Sequence, residues 1–157
     1  MTNFDYYKEI LRALHKFDVE YILVGGVAIN YHGINRFTKD LDIFVKQDSE
    51  NLARLRQALH TVFDDESIDE ITLEEDADYP VIRYGTPAGF YIDILFRLGE
   101  VFTYENLEWE ELEDNGIKIR IARPETLISM KRDTVRLHDK ADAYSLQRLL
   151  EKRRKSK

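Results

Sequence analysis

Apolar positions change spacing from segment to segment along this chain, and the spacing predicts its elements. Residues 3–17 carry Tyr7, Ile10, Leu11 and Leu14 at helical intervals, one apolar side of an amphipathic helix. Ile22, Leu23 and Val24 form a short continuous apolar run, the mark of a buried strand. Gly25-Gly26 ends that run with a tight turn, and helical spacing resumes over 27–32. In the next strand, DLDIFVK, period-two alternation puts Asp40, Asp42 and Phe44 on one face and Leu41, Ile43 and Val45 on the other. A helix is expected over 49–63, strands over 79–86, 89–97 and 116–122, and two helices after Arg123-Pro124-Glu125, where proline suits a first helical position. The acid-rich stretch 64–78 reads as loop or sheet edge. There is no internal repeat or low-complexity linker, so the pattern predicts an α+β chain, a mixed sheet with helices packed against it and a C-terminal helical hairpin. The expected domain spans 1–157, sheet-bearing to about residue 122 and helical over 123–153, with its seam at Arg123-Pro124.

Composition bounds the function. The 157 residues are 43% apolar and 34% charged, enough for one domain with a core of its own. There is no cysteine, which excludes disulfides and thiolate zinc sites and suits a reducing cytoplasm. No N-terminal segment resembles a signal peptide and no apolar stretch would span a bilayer, so a soluble cytoplasmic protein is expected. The net charge of -7 argues against broad nonspecific binding to nucleic acid. Arg148, Lys152, Arg153, Arg154, Lys155 and Lys157 nevertheless make a basic C-terminus, read first as the complement of a helix end and second as an RNA contact. The histidines at 15, 32, 60 and 138 lack metal-ligand spacing and read as surface or packing residues.

Candidate chemistry lies in the acidic residues that interrupt apolar strands. Asp40 and Asp42 sit two apart in one strand, where like charges oppose each other's ionisation and apolar neighbours remove screening water. Asp93 stands alone in GFYIDILFRL, an interior-strand composition in which an unpaired carboxylate must be neutralised, paired with a partner such as Arg83, or bound to metal. A divalent cation with a preference for oxygen ligands satisfies all three acids. Gly25 and Gly26 open a helix, with thirteen residues separating Gly26 from Asp40, and backbone N–H groups and the helix dipole there favour phosphate. One site for a magnesium-bound nucleotide accounts for both features.

These motifs resemble the signature of the DNA polymerase beta-like nucleotidyltransferase superfamily: a Gly-Gly turn, then Asp-hydrophobic-Asp, then a third acid on a neighbouring strand. Arg36 and Thr38 in INRFTKDLD resemble the Arg-x-Thr-x-Asp-x-Asp wording of its abortive-infection toxin-type (AbiEii-like) branch. Lys131, Arg136, Asp139 and Asp142 fall where that branch carries its Lys, Arg and Lys-Asp-x-x-Asp positions, with His138 where a lysine is common. The resemblance, over roughly 19–150, implies the nucleotidyltransferase fold and transfer of a nucleoside monophosphate from a nucleoside triphosphate to a hydroxyl, with pyrophosphate leaving. It implies Asp40, Asp42 and Asp93 as catalytic metal ligands for two magnesium or manganese ions, and Gly25, Gly26, Arg36, Thr38 and Lys131 as nucleotide contacts. The acceptor is left open among a transfer RNA end, a protein side chain and a small molecule. A cognate toxin or antitoxin protein is the partner implied. Two other readings stand beside it: a non-catalytic nucleotide- or partner-binding protein of the same fold, and a metal-dependent phosphohydrolase, which lacks the extra His and Asp ligands a dinuclear site needs.

Overall fold

The computed structural model describes residues 1–73, 80–99, 101–131 and 137–155, without the side chains of 137–141. The first helix, α1 (Asn3–Lys16), starts where Thr2 and Asp5 cap each other: the Asp5 amide donates to Thr2 Oγ1 at 3.2 Å and the Thr2 amide to Asp5 Oδ2 at 2.8 Å. It buries Tyr7, Ile10, Leu11 and Leu14, the apolar side expected of it. Strand β1 (Tyr21–Val24) is buried at every position and leads directly into the seven-residue α2 (Gly25–Tyr31), so both glycines belong to the helix's first turn. Then come β2 (Leu41–Val45) and α3 (Ser49–Val62), capped by Asp48. Asn51 of α3 is fully buried, accepting from the Glu20 amide and donating to the Glu20 and Lys46 carbonyls, which ties the helix to the strand ends.

After a short 3-10 helix at Glu66–Glu70 come β3 (Val81–Gly85), β4 (Tyr91–Leu95), the two-residue β5 (Arg97–Leu98) and β6 (Phe102–Thr103), β7 (Trp109–Asp114) and β8 (Ile117–Ala122). The chain ends in α4 (Pro124–Lys131) and α5 (Leu137–Lys155). The main sheet has six strands in the order β3-β4-β2-β1-β8-β7. Strands β2 and β4 run parallel, as do β1 and β8, while the other neighbours are antiparallel. This is the α+β architecture with a mixed sheet and C-terminal helices that the pattern predicts. Strand β7 was not among the expected strands. Its sequence WEELED alternates exposed and half-buried positions at the sheet edge, so it carries no apolar run. The available signal was Asn115-Gly116, both at positive φ (49° and 83°), the dipeptide of a tight hairpin turn.

Register explains how one sheet serves two purposes. Leu41, Ile43, Ile92, Ile94 and Tyr84 share a face and pack towards an aromatic cluster in which Phe63 meets Tyr84 and Phe90, and Phe90 meets Tyr7. Asp42, Asp93 and Arg83 form the row pointing the other way, because side chains alternate. His32, at the end of α2, is buried. Its Nε2–H donates to the Ala122 carbonyl at 2.8 Å, Nδ1 faces Arg153 Nη2 of α5 at 3.4 Å, and burial holds its pKa below the usual histidine value.

Candidate active site

Strand pairing places Asp42 opposite Asp93 on parallel β2 and β4, and Asp93 opposite Arg83 on antiparallel β3 and β4. This row lies in a cavity of about 490 Å³. Val24, Val81 and Leu95 lie beside the row, and Leu127, Met130 and Lys131 come from α4. Pro80, Arg97, Leu98 and Gly99 complete one side. The site is therefore a partly apolar cleft between the sheet and α4 with two adjacent carboxylates inside it.

Asp42 is the strained member. Burial comes first, then the negative charge of Asp93 and a hydrogen bond between the two side chains; together they push its pKa up to about 7, with Asp40 adding and Lys131 opposing. The folded site thus favours the protonated form of Asp42, and a cation bound beside the two carboxylates would relieve their repulsion.

Asp40 stands just before β2 and is aimed elsewhere. Its Oδ1 accepts from the Tyr91 amide at 3.0 Å and its Oδ2 lies 3.3 Å from Arg83 Nη2. Arg83 Nε also reaches Asp93 Oδ1 at 3.5 Å, and its guanidinium stacks 3.9 Å from the Tyr91 ring centre. The Arg83–Asp93 pairing weighed from the sequence thus exists, and it takes in Asp40 as well. Among the described residues no three acidic or histidine side chains converge closely enough to hold a metal ion as they stand. The donor set still fits one: two carboxyl groups stand side by side inside a cleft, and magnesium commonly takes one or two carboxylates and leaves the rest of its shell to phosphate.

The glycines are required by their neighbours. Gly25 has φ of 73°, and a Cβ there would strike the Asp42 carboxylate. A Cβ on Gly26 would meet Arg36 Nη1 and stand 2.6 Å from Thr38 Oγ1. Thr38 Oγ1 donates to the Asp40 carbonyl at 3.3 Å, and the Arg36 amide to Asn30 Oδ1 at 3.0 Å, which orders the loop between α2 and β2. Arg36 Nε meets Asp142 Oδ1 at 2.7 Å, and Lys131 Nζ lies 3.4 Å from Asp142 Oδ2. Asp142 is only 7% exposed at its side chain and its Oδ2 makes no hydrogen bond among the described residues, so Lys131 faces that charge directly. The arrangement joins the α2–β2 loop, α4 and α5 at one buried carboxylate. Arg136 lies outside the described residues, as do the side chains of His138 and Asp139. Sequence reasoning did not single out Tyr91 or Arg97. Tyr91 enters through its backbone amide and ring position, which only the hairpin register reveals, and Arg97 carries no local signal.

A mixed sheet with paired carboxylates on neighbouring strands, beneath C-terminal helices, is the arrangement of the nucleotidyltransferase fold. Over residues 9–146 the sequence matches the family described as Nucleotidyl transferase AbiEii toxin, Type IV TA system. The chain belongs to that family. Three solved structures share the fold. JHP933 from Helicobacter pylori is 20% identical, with a TM-score of 0.52 over 90% of this chain and 63% of that one. TM1012 from Thermotoga maritima, named as a candidate nucleotidyltransferase, is 14% identical, with a TM-score of 0.53 over 97% and 96%. ANT(2″)-Ia in complex with adenylyl-2″-tobramycin is 17% identical, with a TM-score of 0.52 over 93% and 87%. The chain thus spans about 63% of the length of JHP933. No curated protein matches the sequence.

Proposed function

We propose that the protein transfers a nucleoside monophosphate from a nucleoside triphosphate to a hydroxyl, with divalent metal, as the effector of a toxin-antitoxin pair. The observation that carries this reading is Asp42 standing opposite Asp93 on β2 and β4 inside a cleft of about 490 Å³, with Lys131 on the facing helix. The pair would hold magnesium or manganese, with Asp40 joining once its side chain turns, and the bound cation would neutralise the polyphosphate and acidify the acceptor.

The chain's own groups do the rest. The acceptor oxygen attacks the α-phosphorus, the bond to the bridging β-phosphate oxygen breaks, and pyrophosphate leaves. Asp93, about a quarter exposed, takes the acceptor proton. Lys131 and Arg36 place positive charge beside the departing phosphates, and Gly25 and Gly26 let backbone amides approach them. Thr38 holds the strand end that carries Asp40. The apolar flank of Val81, Leu95, Leu127 and Met130 suits a nucleobase rather than bulk water. ANT(2″)-Ia, which shares the fold, is in complex with adenylyl-2″-tobramycin, and a nucleotidylated ligand on this fold is consistent with the reading. The acceptor class here is an RNA end, a protein side chain or a small molecule, and the family description supports an antitoxin protein as partner.

One observation favours a non-catalytic reading: Arg83 already neutralises Asp40 and Asp93. A single experiment separates the two. Thermal unfolding is followed with each of the four nucleoside triphosphates, with and without magnesium. The catalytic reading expects a rise with one or more triphosphates that needs magnesium and is lost in Asp42→Asn, together with magnesium-dependent transfer of α-labelled nucleotide to RNA or protein. Stabilisation by nucleotide that persists in Asp42→Asn, without transfer, would establish a binding protein instead.

A further inference from the structure

Arg83 meets two of the three expected metal ligands, and its position is unusual for a surface arginine. It stands on the edge strand β3 with its side chain 55% exposed, yet it bridges Asp40 and Asp93 at 3.3 and 3.5 Å. The Tyr91 ring supports its guanidinium face at 3.9 Å, and the Tyr91 amide holds the other oxygen of Asp40 at 3.0 Å. Tyr91 and Arg83 therefore engage both oxygens of Asp40. Lys131 and Arg36 both pair with the buried Asp142, and Lys131 also opposes the raised pKa of Asp42.

We propose that Arg83 is a built-in cation that occupies the carboxylate cluster, keeping Asp40 turned aside, until a metal ion displaces it, and that Arg83 then serves the polyphosphate from its Tyr91 platform. The inference rests on the metal-dependent reading of this site. Three physical points support it. Asp42 and Asp93 stand side by side with Asp40 nearby, and such a cluster of carboxylates calls for a positive charge, which Arg83 supplies to two of them. An ion pair this exposed is screened and weak, so a doubly charged ion with direct carboxylate ligation outcompetes it. Stacking on Tyr91 does not depend on the carboxylates, so the released guanidinium keeps a resting place that still lines the cavity, with its remaining N–H donors free to take phosphate oxygens.

The test measures binding, not turnover. Affinity for Mn²⁺ alone is measured by paramagnetic resonance, and affinity for a non-hydrolysable triphosphate in saturating Mn²⁺ by calorimetry, in wild type, Arg83→Gln and Asp42→Asn. Arg83→Gln is expected to bind Mn²⁺ about threefold to fivefold more tightly, the scale of removing one exposed ion pair. The same variant is expected to bind the triphosphate about tenfold more weakly, the scale of one charge-assisted hydrogen bond. A merely structural role for Arg83 would not raise metal affinity. If Arg83→Gln binds Mn²⁺ no better while Asp42→Asn loses it, the metal site stands and the displaceable cation is overturned. If triphosphate affinity is unchanged in Arg83→Gln, its transfer to phosphate is overturned. If Asp42→Asn binds Mn²⁺ like wild type, the metal reading fails and the proposal with it.

Discussion

Asp42 is an acid whose folded environment favours its protonated form, raised from 3.8 to about 7 by burial and by Asp93. The folded state therefore holds a proton that the unfolded chain releases, and stability falls as pH rises between those two values. Below pH 4 the penalty is absent; above pH 7 it is fully present. Asp42→Asn removes it while keeping shape, so in metal-free buffer the variant is expected to be more stable than wild type by about 1 to 3 kcal/mol at pH 8 and equal to it near pH 4. Chemical denaturation at the two pH values measures the difference, and an Asn variant less stable at pH 8 would make Asp42 a structural residue. Gly25 gives a second test. Alanine at its φ of 73° costs about 1 to 2 kcal/mol from the backbone alone and displaces the Asp42 carboxylate, so Gly25→Ala should lose magnesium-dependent nucleotide binding as well as stability. The Gly-Gly and Asp-x-Asp motifs were legible in the sequence. That the first makes room for the second was not, because the contact runs between a helix start and the strand paired with β1.

At the scale of elements, the junction of α4, α5 and the α2–β2 loop rests on Asp142, held between Arg36 and Lys131. From the sequence alone, Lys131→Met should weaken triphosphate binding with little loss of stability. The burial of Asp142 changes that expectation, since removing one partner of a buried carboxylate is costly. We expect Lys131→Met to weaken triphosphate binding by about 1 to 3 kcal/mol and to lower stability by a similar amount. The double variant Lys131→Met with Asp142→Asn should recover much of the stability but not the binding. Calorimetry and denaturant midpoints separate the two effects; an unaltered triphosphate affinity would leave Lys131 as a structural partner of Asp142. The edge strand β7 shows the limit of pattern reading at this scale. Exposed acidic residues form a strand there because β8 offers its edge and Asn115-Gly116 sets the turn, neither of which apolar periodicity records.

For the molecule as a whole, one apolar cluster runs from Tyr7 and Leu14 of α1 through the sheet to Leu127 of α4 and Leu146 and Leu150 of α5. We propose on that basis that sheet and C-terminal helices form one domain, and expect a single unfolding transition with coincident fluorescence and circular dichroism midpoints. Two separated transitions would divide the chain near Arg123. Among the described residues no helix is long and apolar enough to cross a membrane.

Alternation, glycine placement and the rarity of acids within apolar strands were properties of the sequence alone, and they determined most of the elements, the α+β class and the candidacy of Asp40, Asp42 and Asp93. These are local properties, set by side-chain period and by the cost of burying charge. Only tertiary structure decided which acids stand together, because parallel pairing of β2 with β4 puts Asp42 beside Asp93 while Asp40 falls outside the strand. Register likewise brought Arg83 and Tyr91 to the cluster, and helix packing committed Arg36 and Lys131 to Asp142. Partners far apart in the chain are chosen by which strands and helices meet, and no spacing within a single segment encodes that choice.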